Sequence, residues 1–278
     1  MNKKVVGVVG YGYVGKAVSN FFKNHYEVRA YDPLAKSADD PLISFSNEKK
    51  ILDGCDLIVI CVPTPMREDG TCDTSMVEDS IASFNAPLFL IKSTIAPGTT
   101  KRLIDSNPDK GIAFSPEYLG EGNYAVPFWK GYPDPTDMKK HTFVILGGKK
   151  EATHKILQFF KRVTGAEVRY FQTDSTTAEL CKYMENAFLA TKVTFCNEFY
   201  DIAGAFGVDY DELRELWLLD ERIGRSHSTV FENSRGFSGK CLPKDVSAIF
   251  ESALKKNYTP ELLKAVLKIN KKHQNKNS

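Results

Sequence analysis

No apolar run in this sequence approaches the roughly 20 residues that a membrane-crossing helix needs, so no spanning segment is expected. A secretory leader is not expected either: Met1-Asn-Lys-Lys leads straight into a short apolar run that ends in glycines. Charge of one sign is equally scarce. The 37 Lys and Arg nearly balance 35 Asp and Glu, and a net charge of +2 is too weak a field to draw in nucleic acid or a membrane surface. The six cysteines, at positions 55, 61, 72, 181, 196 and 241, form no C-x-x-C pair, and the five histidines show no ligand spacing around them. No metal is expected on that count. Without a leader, the cysteines are expected as reduced thiols in a cytoplasm, most of them buried.

What remains is a globular composition. A chain of 278 residues, 42% hydrophobic and 12% aromatic, is expected to form about two domains and to be able to build a real core. The polar end "NKKHQNKNS" reads as a fraying terminus.

The opening "KKVVGVVGYGYVGKAVSNFF" reads as a strand, a glycine turn and an amphipathic helix. Val5, Val6, Val8 and Val9 suit a strand buried on both faces. Gly10, Gly12 and Gly15 then spell G-x-G-x-x-G. The first permits a tight turn, the second a close approach by pyrophosphate, and the third close packing of helix on strand. A second strand, "YEVRAYD", ends in Asp32, at the distance where a carboxylate takes the ribose hydroxyls of NAD. The same charge repels the 2′-phosphate of NADP, so NAD is the expected cofactor.

Further apolar runs, "CDLIVICVPTP", "PLFLIKST" and "KGIAFSPE", recur at α/β spacing, and "HTFVILGG" and "AEVRYF" read as late strands with a helix between them. Ligands of open parallel sheets sit beyond the strands' carboxyl ends, which makes Thr64, Thr94 and Glu117 candidates. The aromatic and Pro-rich "NYAVPFWKGYPDPTDMKK" reads as a long loop.

After Phe171 the pattern becomes helical. "STTAELCKYMENAFLATKVTFCNEFYDIAGAFG" runs over thirty residues without proline, with Thr176 and Glu179 as a capping box and Gly204 and Gly207 at its end. It is apolar on nearly every face, which implies burial in a core or a subunit interface. Lys182 and Asn186, four apart, share one face. A shorter helix is expected around "DYDELRELW", and another beginning at Thr259-Pro260. The expected fold is therefore α/β: a Rossmann-type, doubly wound parallel sheet over residues 1–172, then an all-helical central domain with one long helix over 173–278.

The stretch "RGFSGKCLPKD" places Cys241 between Lys240 and Lys244, behind Gly236 and Gly239 and ahead of Asp245. The glycines admit a ligand close to the backbone. The lysines favour a thiolate, and Asp245 offers a carboxylate to hold a water. Beside a nicotinamide, such a thiolate adds to an aldehyde, hydride departs to give a thioester, and water releases an acid.

These motifs together resemble the UDP-glucose/GDP-mannose dehydrogenase family, most nearly its UDP-glucose 6-dehydrogenases. The likeness runs through "VVGYGYVG", "DLIVICVPTP", "IKSTIAPGTT", "FSPEYLGEG", "AELCKYMENAFLATKVTFCNE", "DERIG" and "GFSGKCLPKD". It implies oxidation of a sugar-nucleotide alcohol to a carboxylate in two NAD-dependent steps. On this likeness Gly10, Gly12, Tyr13, Val14 and Gly15 hold the pyrophosphate, Asp32 the ribose, and Lys36 lies near the adenosine end. Thr64 and Thr94 line the cofactor, Thr94 also positioning a water, while Glu121 and Lys244 touch NAD. Cys241 matches the nucleophile, Lys182 and Asn186 the oxyanion donors, Glu117 the base for thioester hydrolysis and Asp245 the residue that orders its water. Tyr118, Leu119, Glu121 and the backbone near Phe237 and Ser238 match the sugar-nucleotide contacts, as do Lys182 and Asn186. Arg222 matches an arginine that reaches a partner subunit, which implies a homodimer through the long helix.

Three departures bear on substrate. Family members continue into a third, UDP-gripping domain where this sequence stops at Ser278; Ser238 stands where a glycine is usual; and "RSHSTVFENSRGF" departs from the usual substrate loop, as Gly120 does in "SPEYLGEG". Alternatives therefore stay open: a dehydrogenase of GDP-mannose or a UDP-N-acetylhexosamine, a one-step β-hydroxyacid dehydrogenase, or a non-catalytic NAD-binding module.

Overall fold

A computed structural model describes residues 3–119, 137–239 and 241–275, and the chain divides into two compact units. The first takes in residues 3–65, 73–119 and 137–182; the second takes in 66–72, 183–239 and 241–275.

The first unit is built on eight strands. In chain order they are β1 (Val5–Val9), β2 (Glu27–Tyr31), β3 (Ile43–Ser46), β4 (Leu57–Ile60), β5 (Leu88–Ile91), β6 (Gly111–Phe114), β7 (Phe143–Gly148) and β8 (Arg169–Thr173). Between them lie α1 (Tyr13–Phe22), α2 (Ser75–Ser83), α3 (Thr99–Ser106) and α4 (Lys150–Lys161). The strand order is β3-β2-β1-β4-β5-β6-β7-β8. Chain order reverses between β1 and β4, where the carboxyl ends of open sheets take ligands. The continuous apolar runs follow from cover on both faces. Leu57 and Val59 join one core with Phe21, Phe22 and Phe160, while Ile58 and Ile60 join the other with Val77, Ile81 and Leu103.

Two strand details depart from expectation. The sheet is mixed rather than wholly parallel, because β7 pairs antiparallel with β6 and β8 then runs parallel to β7. Apolar periodicity is the same read in either direction, so it carries no strand sense. The short strand β3 pairs with β2 at the sheet edge and was not expected at all.

The long helix α5 (Ser175–Ala205) spans about 46 Å at 1.5 Å per residue. Its start corrects the expected capping box. Asp174 is the cap: the Thr177 N–H donates to its Oδ1 at 2.9 Å and the Thr177 hydroxyl to its Oδ2. Glu179 instead reaches the start of α3, accepting from the Gly98 N–H at 2.5 Å and the Thr100 N–H at 2.8 Å. Burial pushes its carboxyl above the usual range, against the pull of those two donors. At the far end Gly207 turns left-handed and the Val208 N–H returns to the Ala203 carbonyl at 2.9 Å, closing the helix.

In the second unit, α6 (Tyr210–Trp217), α7 (Leu242–Leu254) and α8 (Glu261–Gln274) accompany the rest of α5. Pro260, not Thr259, holds the N-cap position of α8 and offers no side-chain bond, the helix proper beginning at Glu261. Ala190, Phe237, Val246 and Val266 form a buried cluster that joins α5, α7, α8 and the segment before α7.

Candidate active-site residues

The glycine turn has three different demands. Gly10 has φ +87, and a Cβ there would lie 2.7 Å from the Cys61 carbonyl oxygen. A Cβ on Gly15 would stand 1.9 Å from the Gly10 carbonyl, so the helix packs onto the turn with no room for a side chain. A Cβ on Gly12 would meet nothing within 4 Å: its lack of a side chain leaves open space at the start of α1. Tyr13 is exposed and Val14 half-buried beside it. Asp32 Oδ2 accepts from the Tyr11 N–H at 2.7 Å, and Oδ1 from the N–H groups of Leu34 at 2.8 Å and Ala35 at 3.2 Å. The carboxylate thus ties β2 to the glycine turn, and Oδ2, with a single donor, keeps capacity for a ligand hydroxyl. Lys36 is exposed four residues on. Backbone N–H groups at the start of α1, space at Gly12 and an anion at the end of β2 together fit a dinucleotide.

Thr64 and Thr94 come together beyond β4 and β5, the Thr64 hydroxyl donating to the Thr94 carbonyl at 2.7 Å. Beyond β6 sits Glu117, only 9% exposed. Its Oε1 accepts from the N–H groups of Tyr118 and Leu119, both at 2.8 Å, and its Oε2 lies 3.0 Å from Lys92 Nζ. Burial pushes this carboxyl upward, but the Lys92 charge, its hydrogen bond and the Leu119 N–H outweigh that and hold it below the usual range. His141 belongs to the same group: burial draws it below the ordinary histidine range, partly countered by Glu117. Lys182, also buried, stands 5.0 Å over the Tyr118 ring.

In the second unit Asn186 Nδ2 donates to Asp245 Oδ2 at 2.5 Å, and Lys244 Nζ donates to Asp245 Oδ1. Asp245 is 1% exposed, a buried carboxylate with a charged and a neutral donor. Cys241 is exposed at the N-cap of α7, one turn ahead of it, where a helix end favours negative charge. Phe237 is buried with its backbone N–H and carbonyl both bonded to α8 side chains, whereas Ser238 is exposed and does not have a positive φ. Its Cβ therefore carries no backbone strain. Arg222 is exposed and held by Asp220 through its Nε at 2.9 Å. Glu121 lies outside the described residues.

Comparison with known proteins decides the family. Residues 24–162 match the NAD binding domain of the UDP-glucose/GDP-mannose dehydrogenase family, and residues 176–272 its central domain. The chain belongs to that family. NAD is accordingly its cofactor. The UDP-glucose 6-dehydrogenase of Rickettsia bellii is 35% identical over 239 residues, which are 82% of this chain and 51% of that protein. This member thus spans about half the length of the curated relatives it matches. Among solved structures, a UDP-glucose dehydrogenase from Pyrobaculum islandicum superposes with TM-score 0.81 at 26% identity, covering 98% of this chain and 68% of that one. A UDP-D-ManNAc dehydrogenase from Pyrococcus horikoshii shares the fold with TM-score 0.78 at 24% identity, over 97% and 68%.

Several residues of this family member escaped the sequence reading. Lys92 is a charge inside an otherwise apolar strand run, "PLFLIK", which is a usable signal for a buried partner. His141, Asn197 and Asn270 left no comparable mark, since each meets its partners across long chain separations.

Proposed function

We propose that this chain supplies the NAD-binding and thiol-bearing parts of a UDP-glucose 6-dehydrogenase, which converts UDP-glucose to UDP-glucuronate. The reading is carried by one grouping: an exposed thiol at the N-cap of α7, with Asp245 buried one turn on between Lys244 and Asn186. Gly10 to Gly15 and Asp32 would hold NAD, which when bound would supply hydride acceptance for two oxidations. The residues of the chain do the rest. The Cys241 sulfur adds to the aldehyde carbon left by the first oxidation, giving a thiohemiacetal. After the second, the carbon is a thioester, which water cleaves to the carboxylate and the free thiol. Lys182 and Asn186 donate to the oxyanion, a role typically worth about 3–4 kcal/mol. Glu117, kept ionised by Lys92, takes the proton of the attacking water, which Asp245 and Thr94 orient. Tyr118, Leu119, Phe237, Ser238 and Glu121 are assigned to the sugar nucleotide, and the setting is cytoplasmic.

Mixed with NAD and UDP-glucose, the protein is expected to form about two NADH per sugar, counted by absorbance against acid formed. One per sugar means a simple alcohol dehydrogenase. None, with NAD still bound, means a non-catalytic module. Turnover of GDP-mannose or a UDP-N-acetylhexosamine in preference would move the assignment to that substrate.

We also assign a homodimer to α5, in which Arg222 reaches the partner's substrate. Leu180, Met184, Phe188, Phe195, Phe199, Ile202 and Phe206 are all exposed, and at 100° per residue they fall within about 100° of arc. Met184 is 79%, Phe188 65% and Phe206 81% exposed, more apolar surface than one helix leaves in water without a partner. Phe188→Glu is expected to convert the dimer to a monomer by light scattering with unchanged circular dichroism. A parent protein already monomeric at high concentration would refute the assignment.

A further inference from the structure

The segment Arg235–Phe237, just ahead of the thiol, is held by a buried set of side chains that the chemistry above does not use. The Phe237 N–H donates to Asn270 Oδ1 at 2.7 Å, and Asn270 Nδ2 donates back to the Phe237 carbonyl at 3.0 Å. One amide side chain thus reads a residue's backbone on both sides, as a neighbouring strand would. Gln274, one turn along α8, adds a second donor to that carbonyl at 2.9 Å.

The preceding residues are tied to α5. Asn197 Oδ1 accepts from the Gly236 N–H at 3.0 Å and from Arg235 Nε at 2.7 Å. Arg235 Nη2 donates to the Asn197 carbonyl at 2.8 Å and to Asp201 Oδ1 at 3.0 Å, and its guanidinium lies 4.4 Å over the Tyr200 ring. Asn197, Asn270, Arg235 and Phe237 are each at most 7% exposed. Gly236 is required by this arrangement: its φ is +78, and a Cβ would lie 2.5 Å from Asn270 Oδ1.

We propose that Asn270 is a positioning residue for Cys241, which acts by clamping the backbone of Phe237 to α8 together with Asn197 and Gln274. On the other side of the thiol, α7 packs on α8 through Val246 and Val266. Both flanks of Cys241 are therefore anchored to one helix. Gly239, with φ +83 and nothing within 4 Å of its Cβ position, is the point of freedom between the clamp and the thiol. Released from the clamp, the segment no longer keeps the sulfur at the N-terminus of α7, where negative charge is favoured. The inference rests on the proposed function only in taking Cys241 as the reacting group.

The test uses the whole chain and two readouts. In Asn270→Ala, hydrogen exchange at the Gly236 and Phe237 amides is expected to quicken at least about tenfold while α7 and α8 keep their protection. Alkylation of Cys241 by iodoacetamide at neutral pH, followed by mass spectrometry, should slow about threefold or more. Cys181, exposed on α5, is the internal control and should react at its usual rate. Gln274→Ala, which removes one of the two bonds to the carbonyl, should show the same pattern more weakly and serves if Asn270→Ala does not fold. Unchanged exchange and alkylation, or an equal change at Cys181, overturns the clamp. A clamp that passes in a protein forming no acid would leave the inference standing and remove the proposed function.

Discussion

Cys241→Ala is expected to abolish acid formation while NAD affinity stays within about twofold of the parent protein. Removal of a covalent nucleophile costs on the order of 10⁴-fold or more in turnover, because the step it divides in two must then occur directly. Asp245, Lys244 and Asn186 bond one another without the sulfur, so their arrangement survives the substitution. The residues proposed to hold NAD, Gly10 to Gly15 and Asp32, belong to the other unit. A variant that still makes acid at the parent rate removes the thiol from the mechanism. Equal losses in turnover and NAD affinity would mark the cysteine as structural. Cys55 offers a contrast: burial pushes its thiol up to about 11, which leaves it protonated and inert.

Lys92→Met is expected to lower the unfolding free energy by about 3–5 kcal/mol, because it leaves Glu117 buried beside an apolar side chain. Lys92 is 5% exposed and serves Glu117 at 3.0 Å, the Pro116 carbonyl at 3.0 Å and the Ser115 hydroxyl at 3.4 Å. The pH dependence separates this from mere loss of packing. In the parent protein Glu117 is held below its unfolded value, so its contribution to stability is present above the ordinary carboxyl range and lost as pH falls through the folded value. Without Lys92, burial outweighs the remaining Tyr118 and Leu119 N–H donors, the carboxyl rises, and stability should instead fall as pH rises above the ordinary carboxyl range. Denaturant titrations across that range would show the change of slope. Lys92→Met with Glu117→Gln should recover most of the loss; a cost below about 1 kcal/mol for Lys92→Met, with the parent slope, would show that the pair carries little.

Much of the first unit was legible because its signals are local. A β-branched run, three glycines and a spaced acid describe a strand, a tight turn and a helix within thirty-two residues, and Gly10 and Gly15 show the turn and the close packing expected of them. The uninterrupted runs at Leu57–Ile60 and Leu88–Ile91 are buried on both faces. What could not be read depends on partners far along the chain. Glu179 looked like the close of its own helix's capping box, yet its carboxylate serves a helix start some eighty residues earlier. The sense of β7 depends on where the chain returns, which apolar pattern does not encode. Asn270 resembles any polar residue of a basic helix until Phe237 is found against it.

The angular layout of α5 limits how this protein can change in length. Lys182, Asn186 and Asn197 fall on one side of the helix cylinder and the exposed apolar stripe on the other, both spaced by 100° per residue. Deleting one residue between Asn186 and Asn197 would swing everything downstream through about 100°, which would part Asn197 from Gly236 and break the stripe at the same stroke. Point substitutions can accumulate along this rod, but insertions and deletions are confined to its ends, and a chimera with another member must be joined outside it.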